Sequence, residues 1–136
     1  MSVEDFLSSR FAALGSGDFS AVYATYHEDS PFIRQFSGCR EYVDFAQQQL
    51  CDIKVTSWQS LRSRQPAADR CEHLLVIELA VAETRQYFYE LALLINTPDG
   101  WRYHSAQKLS VEDYPGPPEQ IQFAAHFDQR SEKLRY

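Results

Sequence analysis

EHLLVIELAVAETRQYFYELALLINTPDGWRYHSAQKL, residues 72–109, decides the fold of this chain. It holds three β-type runs in succession, over 72–81, 87–95 and 101–109, each rich in branched aliphatics or rings. Side chains of that kind fit a pleated, half-buried surface. The last two runs are joined by Asn96-Thr97-Pro98-Asp99-Gly100, whose composition is that of a turn, so the runs read as an antiparallel meander. Residues 53–64 read as a first long strand ahead of them, and 65–70 as an exposed loop.

Working outward, the chain before this region has helical periodicity. Ser2 and Asp5 form a capping box, and Val3, Leu7, Phe11 and Leu14 recur at helical spacing. Gly15-Ser16-Gly17 ends that helix. Asp18 caps a second, with Phe19, Val22, Tyr23 and Tyr26 along one face. His27-Glu28-Asp29-Ser30-Pro31 stops it, because the residue before a proline is pushed out of helical geometry. Residues 32–36 read as a short extended segment. Gly38 then turns the chain into a third helix with Cys39, Tyr42, Val43, Ala46 and Leu50 inward. Helices first and an antiparallel sheet afterwards specify an α+β domain, with the helices packed on one face of the sheet.

After the last strand, Pro115-Gly116-Pro117-Pro118 breaks the chain. The expected organisation is one domain over 1–114 and a C-terminal extension over 115–136. Residues 119–136 read as a helix with Phe123, Phe127 and Leu134 at helical spacing, serving packing or assembly on the parent domain or on a partner subunit.

Composition excludes several classes. Of 136 residues, 13 are basic and 19 acidic, and no Lys/Arg cluster offsets the net charge of −6, so a nucleic-acid partner is not expected. No apolar run approaches the length that spans a bilayer, and the acidic start Met1-Ser2-Val3-Glu4-Asp5 is unlike a signal peptide. The expected location is the cytoplasm. Cys39, Cys51 and Cys71 are odd in number and widely spaced, which suggests reduced thiols and neither a disulfide framework nor a metal site. No cofactor motif is present, so no cofactor is expected.

Strand parity assigns faces, since alternate side chains point to opposite sides of a sheet. The odd positions, among them Leu75, Ile77, Tyr89, Leu91, Leu93, Tyr103, Gln107 and Leu109, are the more apolar and are expected to face the helices. The even positions, with Glu78, Glu90, Arg102, His104 and Lys108, are expected to face outward as a solvated charged face. Odd beside odd requires a hairpin loop with an odd number of residues near Thr84, which sets Glu78 opposite Glu90. Alanines at 80, 82, 92 and 106 make the outward face flat, which points to a homodimer through it.

The helix-facing set also supplies a candidate ligand pocket: Tyr23, Tyr26, His27, Tyr87, Tyr89, Tyr103 and Gln107. A cavity lined by rings with a few polar groups is how a site for a small apolar ligand is built. Taken singly, each tyrosine reads better as a core ring whose hydroxyl reaches the rim or a backbone carbonyl, and His27 reads at least as well as a cap on the end of the second helix. No catalytic residue is assigned.

The order of helices, the Gly38 turn and the closing sheet resemble the NTF2-like (cystatin-like) superfamily of cone-shaped α+β domains. More closely, Arg10-Phe11-Ala12-Ala13-Leu14, Gly17-Asp18 and Tyr26-His27 are similar to the start of the YchJ-type domain found beside SEC-C zinc motifs. Tyr89-Glu90-Leu91-Ala92 and Asp99-Gly100-Trp101-Arg102-Tyr103 are similar to its closing hairpin, the likeness covering residues 3–111. This chain lacks the cysteine-rich zinc segment. The resemblance implies helices on a curved sheet, and either of two roles. One is a non-catalytic module that binds a small ligand or dimerises. The other is an isomerase or lyase of small molecules using a residue inside the cone. The predicted helix-facing set contains no Asp or Glu, which favours the binding module.

Overall fold

The structure, a computed structural model, describes residues 2–123 and residue 127. Helix α1 (Val3–Ser16) begins as its sequence dictates, with Ser2 Oγ accepting the Asp5 N–H at 3.1 Å and the Asp5 carboxylate accepting the Ser2 N–H. It ends at Gly17, whose φ of 75° is left-handed and disfavours any side chain. Asp18 then caps the short α2 (Phe19–Ala24) by accepting the Ala21 N–H at 3.2 Å. Residues 32–36 are not extended, as the sequence suggested. They form a 3-10 turn over Ile33–Gln35. The turn brings the Phe32 and Phe36 rings to 5.4 Å and packs both on Tyr42 and Phe45 of α3 (Cys39–Gln49). An extended chain would hold those two residues about 13 Å apart, out of mutual contact.

Strands β1 (Ile53–Ala67), β2 (Arg70–Val81), β3 (Thr84–Thr97) and β4 (Gly100–Ser110) form one antiparallel meander in that order. β1 runs through half of the segment expected to be a loop, and β2 begins at its last residue. Its register slips at three places, between Val55 and Ser57, Ser60 and Arg62, and Arg64 and Ala67. Each extra residue bends the strand and deepens its twist, so the sheet curves around the helices. The helices sit in the concave face. No helix among the described residues is long and apolar enough to cross a membrane.

The faces differ from the parity reading in β3 and in half of β4. The β2–β3 connection is a two-residue turn, Ala82-Glu83, with Val81 paired to Thr84 and Ala82 at a φ of 55°. An even-numbered turn places odd residues opposite even ones. Glu78 therefore faces Tyr87, and Glu90 faces Leu75. Leu75 and Ile77 point to the helices as expected, but on β3 it is Phe88, Glu90, Ala92 and Leu94 that join them. Tyr87, Tyr89 and Leu91 lie on the convex face. β4 carries one extra residue at His104, because Leu93 pairs with Ser105 and Leu94 with Tyr103. Trp101 and Tyr103 thus face the helices from one side of this bulge, and Ala106 and Lys108 from the other, while Gln107 and Leu109 turn to the convex side. Ala92 and Ala106 are accordingly buried in the concave core and do not flatten an outward face.

The convex face has its own core. Leu74, Tyr89, Leu91 and Leu109 are buried there with Tyr114, Ile121 and Phe127. The chain beyond β4 is held over them by polar bonds to the sheet. Arg62 Nε donates to the Ile121 carbonyl at 2.9 Å, Gln107 Nε2 to the Phe127 carbonyl at 2.9 Å, and the Arg64 guanidinium stacks on Phe123 at 4.2 Å. Pro118–Gln120 is a 3-10 turn. The helix expected over 119–136 falls largely outside the described residues, as does Leu134.

Candidate functional site

The concave core does not close completely. A cavity of about 150 Å³ remains between the helices and the sheet. Phe11 and Leu14 of α1, Phe32, Tyr42 of α3 and Val55, Ile77, Leu79 and Phe88 of the sheet give it apolar walls. Three charged side chains also line it, each from a different element: Arg10, Glu90 and Lys108.

Arg10 is only 4 % exposed. Its guanidinium donates to Thr25 Oγ1 at 2.6 Å and to Tyr26 Oη at 3.2 Å, and it lies over the Tyr103 ring at 3.8 Å and the Tyr26 ring at 4.6 Å. The two rings are fixed by the backbone. The end of α2 pairs with β4, with the His27 N–H donating to the Tyr103 carbonyl at 2.8 Å and the Tyr103 N–H to the Thr25 carbonyl at 2.7 Å. Burial works against the charge on Arg10. Tyr26, Tyr103 and Glu90 outweigh it and hold the guanidinium more firmly protonated than usual.

Glu90 and Lys108 are direct cross-strand partners, with Oε1 and Nζ 3.6 Å apart and the lysine side chain 18 % exposed. The Lys108 ammonium also sits 4.7 Å from the centre of the Phe88 ring. Burial lowers its pKa to about 8, Glu90 pulls it back up, and the nearby Arg10 adds to the depression. Burial likewise raises the pKa values of Tyr26, Tyr42 and Tyr103, which stay neutral. Arg10 and Lys108 against Glu90 leave the cavity with an excess of one positive charge.

A lysine whose pKa falls on folding is deprotonated earlier in the native state than in the unfolded chain. Between about pH 8 and the ordinary lysine value of 10.5 the unfolded state therefore binds more protons, and stability rises with pH across that window. Below it, the cost of burying the ammonium is present in full. Chemical denaturation as a function of pH should show this rise, and Lys108→Met should flatten it. An equally steep rise in the variant would assign the effect to another group.

The candidates drawn from the sequence divide between the two faces. Tyr26 lines the cavity, Tyr103 packs edge-on against it at 5.5 Å, and Tyr23 stands behind Tyr42 with ring centres 5.8 Å apart. His27 lies beyond the end of α2, with Nδ1 accepting the Asp29 N–H at 3.0 Å, and is not part of the cavity lining. Tyr87, Tyr89 and Gln107 are on the opposite face of the sheet, for the reasons of turn length and bulge given above. Tyr87 is exposed there, and Tyr89 packs on Tyr114 with ring centres 5.5 Å apart. The charged triad Arg10, Glu90 and Lys108 escaped the sequence reading. Arg10 carried a legible signal: it stands one helical turn from Leu7 and Leu14 on the apolar stripe of α1. Among the described residues, no three His, Cys, Asp or Glu side chains come together as a metal site.

No family model and no curated protein matches the sequence. Solved structures do match the fold. A domain of unknown function with a cystatin-like fold from Nostoc punctiforme superposes with a TM-score of 0.60 at 14 % identity, covering 78 % of this chain and 73 % of its own. A ketosteroid isomerase-like protein from Erwinia carotovora atroseptica gives a TM-score of 0.60 at 18 % identity over 80 % of this chain and 93 % of that one. A SEC-C motif containing protein from Rhodopseudomonas palustris gives 0.59 at 16 % identity over 78 % and 77 %. The architecture is thus the NTF2-like, cystatin-like α+β cone that the helix order and the closing sheet resemble.

Proposed function

We propose that this chain is a binding module whose cone takes a small, mostly apolar ligand with one oxygen-bearing head group. The observation that carries this reading is the unfilled cavity of about 150 Å³, apolar on most of its wall and bounded by Arg10 and Lys108. Burying charge in an apolar interior is costly unless it is compensated, and a surplus cation is compensated by a carboxylate or carbonyl oxygen. An apolar cavity of about this volume accommodates a single aromatic ring. Benzoate is therefore a fitting probe. Titrating it into isotopically labelled protein should shift resonances of Phe11, Leu79 and Phe88 while leaving Leu74 and Leu109 on the convex face unmoved. Shifts confined to the convex face, or none at millimolar benzoate, would overturn the reading.

One observation favours a second reading, an isomerase or lyase. Glu90 supplies inside the cone the carboxylate that such proton transfers need, and that strand parity had placed outside. Self-association is a separate proposal. The convex face is partly covered by the chain beyond β4, and among the described residues Tyr87, 46 % exposed, is the large apolar residue left open beside Glu78 and Arg85. A homodimer would use that edge, and light scattering at micromolar concentration decides it. The unpaired state of Cys39, Cys51 and Cys71 suits a reducing compartment such as the cytoplasm.

A further inference from the structure

Lys108 is placed as a nucleophile as much as a counter-ion. Its amine borders the cavity, so a ligand seated there lies against it. Among the groups that face it are Glu90 from β3 at 3.6 Å, the Phe88 ring at 4.7 Å, and Arg10 from α1 across the cavity. Glu90 favours the ammonium but stands where it can take its proton, whereas burial against the apolar wall and the nearby Arg10 promote the neutral amine, which is the form that attacks carbon.

We propose that Lys108 captures small apolar aldehydes or ketones inside the cone as a protonated imine. This rests on the cone being a ligand cavity, and it names the head group as a carbonyl. In the first step the Lys108 ammonium gives a proton to Glu90, and the nitrogen lone pair forms a bond to the carbonyl carbon as the C=O π bond opens. The oxygen takes up the proton that the newly bonded nitrogen sheds, giving a neutral carbinolamine. Glu90 returns its proton to that hydroxyl, which leaves as water while the nitrogen forms the C=N bond. Ammonium and carbonyl are converted to iminium and water, with no change of charge and no oxidant. The ion pair with Glu90 survives the conversion, so the cone holds the product on the contacts that held the free lysine. Water exclusion by the apolar walls opposes hydrolysis back to the amine.

The chain has two other lysines, Lys54 and Lys133, and Lys54 serves as an internal standard. It lies at the surface, where its Nζ donates to the Gly15 carbonyl at 3.3 Å. The full chain is incubated at neutral pH with benzaldehyde and sodium cyanoborohydride, which reduces an imine to a stable benzylamine, and labelled peptides are mapped by mass spectrometry. The N-terminal amine is left out of the comparison, because its ordinary pKa is itself near neutrality. Lys108 should be labelled about tenfold faster than Lys54, since a pKa of about 8 leaves a far larger share of free amine at neutral pH than the ordinary lysine value of 10.5 does, part of which is offset by weaker basicity. Added benzoate should slow labelling of Lys108 and not of Lys54. Labelling of Lys108 no faster than of Lys54 overturns the proposal. If benzoate still shifts the cone resonances in that case, the cavity reading stands and imine formation alone falls. If benzoate does neither, both fall together.

Discussion

Arg10→Ala is expected to lower the folding free energy by about 3–5 kcal/mol, the range seen when one member of a buried charge cluster is removed. The side chain it deletes bonds Thr25 and Tyr26, stacks on Tyr26 and Tyr103, and faces Glu90. It thereby ties α1 to the junction between α2 and β4. Alanine would leave the Tyr26 hydroxyl without this donor and enlarge the cavity on its charged side. Arg10→Met, which keeps the stem but not the charge, should cost less than alanine, because part of the loss is packing. Both should raise the Lys108 pKa, since Arg10 is one of the groups that depress it. Urea unfolding measures the first effect and the pH window of stability the second. A loss under about 1 kcal/mol for Arg10→Ala would show that the rings and not the guanidinium hold this junction.

Truncation after Tyr114 is expected to have the next largest effect. It removes Ile121 and Phe127, both fully buried, from the convex face. At about 1.5–3 kcal/mol for each buried side chain of this size, their loss amounts to roughly 3–6 kcal/mol. It also bares Leu74, Tyr89, Leu91 and Leu109 as one apolar patch on the sheet. A patch of that kind drives association. The truncated chain should keep its helical and strand dichroism, melt at a lower temperature and scatter light as a concentration-dependent oligomer. An unchanged melting temperature would mean that the segment beyond β4 contributes nothing to the fold.

Helices, strands and their order were legible because each carries a local signal. Ser2 with Asp5, Gly17 with Asp18, and the apolar stripe of α1 all act within a turn or two of chain. The faces of the sheet were legible only where one face is much more apolar than the other, as at Leu75, Ile77 and Leu79 of β2. In β3 the signal vanishes for a physical reason. Both sides of that strand are covered, one by the helices and one by the chain beyond β4, so Phe88, Ala92 and Leu94 compete on equal terms with Tyr89 and Leu91. Turn length would have broken the tie. Yet Ala82-Glu83 lacks the Asn-Gly or Asp-Gly chemistry that announces a two-residue turn, and Ala82 adopts its positive φ without a glycine to mark it. The candidate site suffered most. A parity error in β3 removed Glu90 from the cone, and an unmarked bulge in β4 removed Lys108.

The extra residue at His104 makes the polarity of the cone a matter of counting. On the Tyr103 side of it β4 turns odd positions inward, and on the Lys108 side even ones, so the strand is spliced from two frames. Losing one residue there would exchange Lys108 for its neighbours Gln107 and Leu109 in the cavity wall, altering its charge without any substitution at the positions that line it. The chemistry of the interior is thus encoded partly in length. Two chains of this architecture can be alike in every other residue of the closing strand and still differ in what they hold, by a single insertion there.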